Sequence, residues 1–305
     1  MGRKGAKLEL RVEVPPKSLY FCARIPPPPY NMSLKNTKVL TISQSIQPFL
    51  DGPEEMAKVS RQLPQGILEC GNEIRVFMPK FGCINERRHQ LHEVIRLSGM
   101  NLIINDTDHA LLIKVASVPS ARMQVYFIDN EEYFKRKADT HDADGTFFAD
   151  NDERALFFGR GVLETVRKLG WVPDIIHCHG WMTALVPLYV RHHFADDPHF
   201  ENTKLIFSVH DQKAEALDKD LAKKLVMEGF DKDLLKGLNK PTTDDLVKFA
   251  MGLSDGAVRS SAKLSKGLES ALKSYEKPVM AFAKDADQVQ AHSEFYQSML
   301  EEALV

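Results

Sequence analysis

The run WVPDIIHCHGWMTALVPLYV (residues 171–190) breaks its apolar character at His177-Cys178-His179-Gly180-Trp181 and then resumes with helical spacing. A buried strand that passes directly into a helix is the local unit of an open α/β sheet. In such sheets ligands sit beyond the carboxyl ends of the strands, so polar and aromatic groups at this junction are placed to touch one.

The flanking sequence repeats the unit. Lys38 to Ile46 (KVLTISQSI) predicts a strand, and Glu54 to Cys70 sets Met56, Val59, Leu63 and Ile67 on one helical face that Gly71 closes. Glu73 to Met78 (EIRVFM) is the next strand, and a strand, helix and strand joined this closely predict a right-handed βαβ unit. Between Leu91 and Ile128 the short runs LHEVIRL, ALLIKVASV and MQVYFI predict an antiparallel hairpin insertion, with Asn105-Asp106 as a turn. A helix over Asp152 to Leu169, with Asp150 to Asp152 able to cap it and Gly170 to end it, leads into the opening motif. Beyond it we expect a helix over Met182 to Phe194, a buried strand Lys204 to His210 (KLIFSVH) and an exposed amphipathic helix within Ala214 to Lys240. A weaker αβαβ rhythm then runs through Thr243 to Gly252, Gly256 to Ser260, Gly267 to Lys273 and Pro278 to Phe282, and Gln288 to Leu304 predicts a closing helix. The expected fold is α/β, a Rossmann-like, doubly wound, mostly parallel sheet with an antiparallel hairpin insertion.

With 43% hydrophobic and 27% charged residues, the chain has the composition of an ordinary globular protein with a sizeable core. A net charge of −2 and a pI near 6.6 argue against general nucleic-acid binding, which needs a basic stripe to replace counterions. Cys22, Cys70, Cys83 and Cys178 form no CxxC pair and suit a reducing compartment. No apolar run is long enough for a membrane span, and the expected location is cytoplasmic. Residues 1–36 stand apart: a basic start and Pro26-Pro27-Pro28-Pro29 predict a disordered tail. Met32, just before the first strand pattern, offers the alternative of a mis-assigned start.

Two residues apart on a strand end, His177 and His179 point to one side and Cys178 to the other. Zinc needs three or four ligands and no second cluster of matching spacing appears, so we assign no metal and no cofactor. The histidines are either hydrogen-bonded structural groups or substrate contacts. Trp181 favours the second, because the C–H face of a sugar packs on an aromatic ring while its hydroxyls take polar partners.

Taken together, His177-Cys178-His179-Gly180-Trp181-Met182, Leu185, Pro187 and Tyr189, followed by Phe207-Ser208-Val209-His210, resemble a known pattern. It is the HxHDWHxxLxPxY segment and later TVH strand of bacterial glycogen synthases and plant starch synthases. The resemblance extends through Pro48 to Pro64, Gly71 to Gly82 (GNEIRVFMPKFG) and Val125 to Asn130 (VYFIDN). It is clear from Thr37 to His210, fainter beyond, and looks most like the short glycogen synthase relatives of Bacteroidetes-type bacteria.

The resemblance implies one half of a GT-B glycosyltransferase, a pair of facing Rossmann-like domains with the active site between them. The implied reaction moves glucose from ADP-glucose to the non-reducing end of an α-1,4-glucan, with retention and without a metal. By position His210 matches the family's active-site histidine, and His177, His179, Gly180 and Trp181 fall on the substrate side. Three departures accompany it. The family's Lys-x-Gly-Gly loop, which grips the donor diphosphate, reads here Phe49-Leu50-Asp51-Gly52-Pro53-Glu54-Glu55, with Asp51 in the lysine's place. Asp51, Gly52 and Glu54 therefore mark a degenerate donor-phosphate loop, and acidic groups there repel a diphosphate. Gly180 and Met182 replace an aspartate and a histidine. Residues 37–305 are expected to form the N-terminal catalytic-type domain alone, so the nucleotide-binding half would come from a protein partner or a second copy. Two functions fit: a glucosyltransferase half, or a non-catalytic α-glucan-binding or regulatory module that has lost donor binding.

Overall fold

The computed structural model describes residues 34–50, 55–284 and 286–301. The tail through residue 33, Met32 included, and the loop residues Asp51, Gly52 and Glu54 lie outside them. The first unit is as the sequence predicts: β1 (Lys38–Ser43), α1 (Glu55–Glu69) and β2 (Glu73–Pro79), with β1 and β2 parallel. Gly71 ends the helix at φ +90°, a conformation that suits glycine because it has no Cβ.

A short helix α2 (Glu86–His89) precedes the antiparallel insertion of β3 (His92–Glu93), β4 (Met100–Ile104) and β5 (Thr107–Val118), and β6 (Met123–Asp129) returns to the parallel sheet beside β2. Asn105 and Asp106 form the two-residue turn between β4 and β5, with φ of 49° and 63°. Two consecutive left-handed residues match the right-handed twist of a hairpin. The sequence patterns missed β4, and LHEVIRL yields only the two residues of β3.

After α3 (Glu131–Phe134), helix α4 (Asn151–Lys168) stacks Ala155, Leu156, Phe158, Val162 and Val166 into the core. Gly170 ends it at φ +62° as expected. The expected cap at its start is not made. Asp150 occupies the N-cap position without a side-chain cap bond, because its carboxylate binds Arg136 at 2.5 Å, and Asp152 binds the buried Lys224 at 2.6 Å. An ion pair is the stronger partner for either carboxylate.

β7 (Ile175–His179) follows, but the predicted helix from Met182 to Phe194 is broken into a 3₁₀ turn at Trp181–Thr183, α5 (Val186–Leu188) and a π turn at Tyr189–His193. Pro187 explains the break, since it has no N–H to continue a helical ladder. β8 (Lys204–Val209) is as predicted. Between residues 214 and 240 the only α-helix is α6 (Leu221–Met227), so the expected long helix is instead mostly turns. The remainder is α7 (Thr243–Leu253), β9 (Gly256–Arg259), α8 (Lys266–Lys273), β10 (Val279–Met280) and α9 (Gln288–Glu301). Thr242 caps α7 through a reciprocal pair with Asp245.

The strand order is β10-β9-β8-β7-β1-β2-β6-β5-β3, with β4 beside β5. Chain progress runs outward from β1 through β2 and β6, then reverses and runs outward through β7, β8, β9 and β10. β1 and β7 therefore border the switch point of a doubly wound sheet, where the loops beyond the strand ends diverge and leave a crevice. Both faces are covered. Val59, Leu63 and Ile67 of α1 and Tyr296 and Met299 of α9 pack on Val39, Ile175, Ile206 and Val258. On the opposite face α4 and α7 cover Leu40, Ile42, Ile176, Leu205 and Phe207.

Candidate functional site

The carboxyl ends of β1, β7, β8 and β9 meet at the switch point. Gln44 follows β1, Gly180 and Trp181 follow β7, His210 to Gln212 follow β8, and Ser261 lies just past β9; all but Gly180 line a cavity of about 300 Å³. Side-chain bonds tie the loops together. Gln212 accepts from the Trp181 backbone N–H at 3.2 Å and donates to Gln44 at 3.4 Å, while Ser261 accepts from the Asp211 N–H at 3.1 Å and donates to Glu55 at 2.9 Å.

The outer wall is a segment from which the sequence patterns drew no site residue. Asp139, Thr140, His141 and Phe147, between α3 and α4, line the cavity opposite the strand ends. His141 pairs with Glu215 at 3.4 Å, Lys213 binds the same carboxylate at 2.5 Å, and the Phe147 ring lies 5.5 Å from that of Trp181. The Asp142–Gly145 turn, with Gly145 at φ +80°, was the one local signal of a structured loop here.

Each singled-out residue that the structure describes has a definite place. His177 and His179 do share a side, their rings 4.0 Å apart, and Cys178 faces the other core layer. His177 does not reach the cavity: its ring nitrogens bond Tyr296 Oη at 2.6 Å and Ser208 Oγ at 2.7 Å. His179 is fully buried and bonds His210 through Nδ1 and Nε2 at 3.2 Å. His210 is 5% exposed and lines the cavity. Trp181 lines it as well but is only 4% exposed, with Phe147 against it. Gly180 turns the chain at φ +87° and ψ +156°, and its carbonyl accepts from the Thr183 hydroxyl at 2.8 Å.

Burial sets the protonation of this group. Desolvation, then the neighbouring His292, hold His210 down to about 3, and desolvation followed by the surrounding imidazoles keeps His177 and His179 well below the ordinary histidine value. All are neutral near pH 7. The His210 ring can therefore donate one hydrogen bond and accept one, without contributing a charge. Around it, Glu55, Asp139, Asp211 and Glu215 give the cavity more acidic than basic groups.

Comparison with known proteins is decisive at the family level. The "Starch synthase catalytic domain" family matches residues 38–272, which include every cavity residue named above. The chain belongs to this family. A glycogen synthase of Chlorobium limicola is 41% identical over 182 residues, 59% of this chain and 37% of its own length. That of Chlorobaculum tepidum is 36% identical over 258 residues, 79% of this chain and 51% of its own length. The catalytic domain of starch synthase IV from Arabidopsis thaliana, solved bound to ADP and acarbose, superposes with a TM-score of 0.66 at 20% identity, over 82% of this chain and 52% of that one. The chain thus spans about half, or less, of the curated relatives it matches, and its fold corresponds to about half of a starch synthase catalytic domain.

For a starch synthase family member the position of His210 is informative. It stands at the end of β8, one strand from β7 and two from β1, at the crevice where this sheet topology binds ligands. Among the described residues no helix is long and apolar enough to cross a membrane.

Proposed function

We propose that this chain is the acceptor-side half of a glycogen or starch synthase-type glycosyltransferase, acting on ADP-glucose and the non-reducing end of an α-1,4-glucan. The observation that carries this reading is His210, a nearly buried neutral imidazole lining the cavity at the switch point. In this reading its ring would hydrogen-bond a sugar hydroxyl and its backbone carbonyl would help to stabilise positive charge developing at an anomeric carbon. Residues 37–305 act as the N-terminal catalytic-type domain, and donor contacts come from a second nucleotide-binding domain, on this or another polypeptide or a second copy. Cytoplasmic location fits that chemistry. The test is ADP release from ADP-glucose in the presence of glycogen, with and without copurifying partners. His210→Ala should lower the rate by about 100-fold or more, the range for a lost transition-state donor. No release under any of these conditions sinks the proposal.

A second reading is a non-catalytic α-glucan-binding or regulatory module. The carboxylates Glu55, Asp139, Asp211 and Glu215 favour it, because they suit a neutral glucan better than a nucleotide diphosphate. Retention on immobilised glycogen, weakened by Trp181→Ala, with no ADP release would select this reading.

A further inference from the structure

Arg154 is the bulkiest fully buried side chain among the described residues, yet it lines no part of the cavity. Its guanidinium carbon lies 5.2–5.5 Å from the ring centroids of Phe134, Phe81 and Phe148. Nη1 donates to Asn151 Oδ1 at 2.6 Å, while Nε and Nη2 have no hydrogen-bond partner among the described residues. Burial, and then the nearby Arg136, hold the group down to about 10, so it is still a cation at neutral pH. Desolvating that charge costs more than burying an apolar side chain of similar size, which would fill the same space. What the guanidinium does and a hydrocarbon cannot is orient Asn151.

Asn151 is the first residue of α4 and is fully buried as well. A guanidinium can only donate, so the amide oxygen must face Arg154, and the amide nitrogen then faces the Thr140 carbonyl at 2.8 Å, which can only accept. Reversing the amide would break both bonds. The orientation is therefore set from each end.

Thr140 closes the outer wall. Its carbonyl also accepts from the Phe148 N–H at 3.1 Å, and the Asp142 N–H donates to the Thr146 carbonyl at 3.0 Å, so residues 140–148 form a closed turn that carries His141 and Phe147 into the cavity lining. No helix or named strand runs through this turn. The buried bond from Asn151 takes the place of such a ladder, and Phe148 is held beside it by Arg154 and by Arg136, whose guanidinium carbon lies 4.1 Å from the ring centroid.

We propose that the buried pair Arg154 and Asn151 positions the outer wall of the cavity: Arg154 orients the Asn151 amide, and that amide holds Thr140 and the turn of His141 and Phe147 opposite the strand ends. Neither is a catalytic residue, since neither reaches the cavity. The consequence that a glucan is bound less well when the wall is released rests on the glucan reading above; the wall's dependence on this pair does not.

The experiment is amide hydrogen exchange read by mass spectrometry on the full chain without ligand, comparing wild type with Arg154→Met and Asn151→Asp. Met fills the space without a donor. In Arg154→Met the segment 139–148 should exchange about tenfold faster or more, as expected when a buried hydrogen bond that closes a local structure is lost, while β7 and β8 keep the wild-type rate. Asn151→Asp separates the two bonds: the carboxylate strengthens the contact with Arg154 and suits the first turn of α4, but it has no N–H for Thr140. The same segment should loosen in it too. An unchanged rate over 139–148 in either folded variant would overturn the proposal, as would equal acceleration in β7 and β8, the mark of general loosening. If Arg154→Met does not fold, Asn151→Asp decides by the same comparison. Because exchange is read without ligand, a wild-type protein that binds no maltooligosaccharide would refute the glucan reading and leave this one standing.

Discussion

His177 and Tyr296, 119 residues apart, are joined by a 2.6 Å hydrogen bond between the imidazole Nδ1 and the phenol. The bond fastens α9 to the strand that carries the site, and both partners are buried, so neither can turn to bulk water instead. Tyr296→Phe keeps the ring and strands the His177 nitrogen. It should destabilise the fold by about 1–3 kcal/mol, the cost of one buried polar group left without its partner. Urea unfolding measures this; an unchanged midpoint would mean that the bond does not hold α9.

Stability should fall as the solution is acidified through the histidine range. His177, His179, His210 and His292 all have folded-state values below the ordinary 6.5, His210 at about 3 and His292 at about 4, with burial the leading cause. Above pH 6.5 neither state binds these protons. Below it the unfolded chain takes them up first, so unfolding is favoured progressively as pH drops toward the folded values. His292→Leu removes one such group and should make melting temperature less steeply dependent on pH between about 6.5 and 4, the window between free and buried histidine. Parallel curves for the variant and wild type would count against a buried, neutral His292.

The family's aspartate cannot be restored at position 180 without strain. At φ +87° an L residue is disfavoured, and a Cβ would stand 3.0 Å from both Gln44 Oε1 and Met56 Sδ. Gly180→Asp should cost about 1–3 kcal/mol, the range for a residue forced into a sparsely populated backbone conformation. Chemical denaturation of Gly180→Asp beside Gly180→Ala tests this. If Asp is as stable as glycine, the chain reaches this corner by another backbone path.

Phe147 lies against the Trp181 indole, with ring centroids 5.5 Å apart. In a Trp171→Phe background Trp181 is the one remaining tryptophan of two. Adding Phe147→Ala should raise acrylamide quenching of its fluorescence, because 4% exposure leaves little room for a quencher at present. Equal quenching would show that other groups shield the ring.

Much of the fold was legible because its signals are local. The short apolar, β-branched runs KVLTIS, EIRVFM and KLIFSV mark β1, β2 and β8, and Met56, Val59, Leu63 and Ile67 mark the buried face of α1. The failures were cases where tertiary contacts or a single proline outweighed the pattern. Pro187 broke the helix after Trp181, Asp150 went to Arg136 instead of capping α4, and within the charged segment from 214 to 240 Gly229 at φ +96° ends the short α6, leaving Phe230, Leu235 and Leu238 to enter the core from the turns that follow.

The site divides the same way. The sequence by itself determined that His177 and His179 share a side and that His210 ends a buried strand, since the first follows from the two-residue strand period and the second from the apolar run KLIFSVH. Only the tertiary structure decided that His179 meets His210 across 31 residues, that Tyr296 and His292 pack against His177, and that His141 and Phe147 form the opposite wall. Those neighbours are set by strand order. The chain must return from β6 to lie beside β1 before β7 and β8 become adjacent, and no local pattern encodes that return.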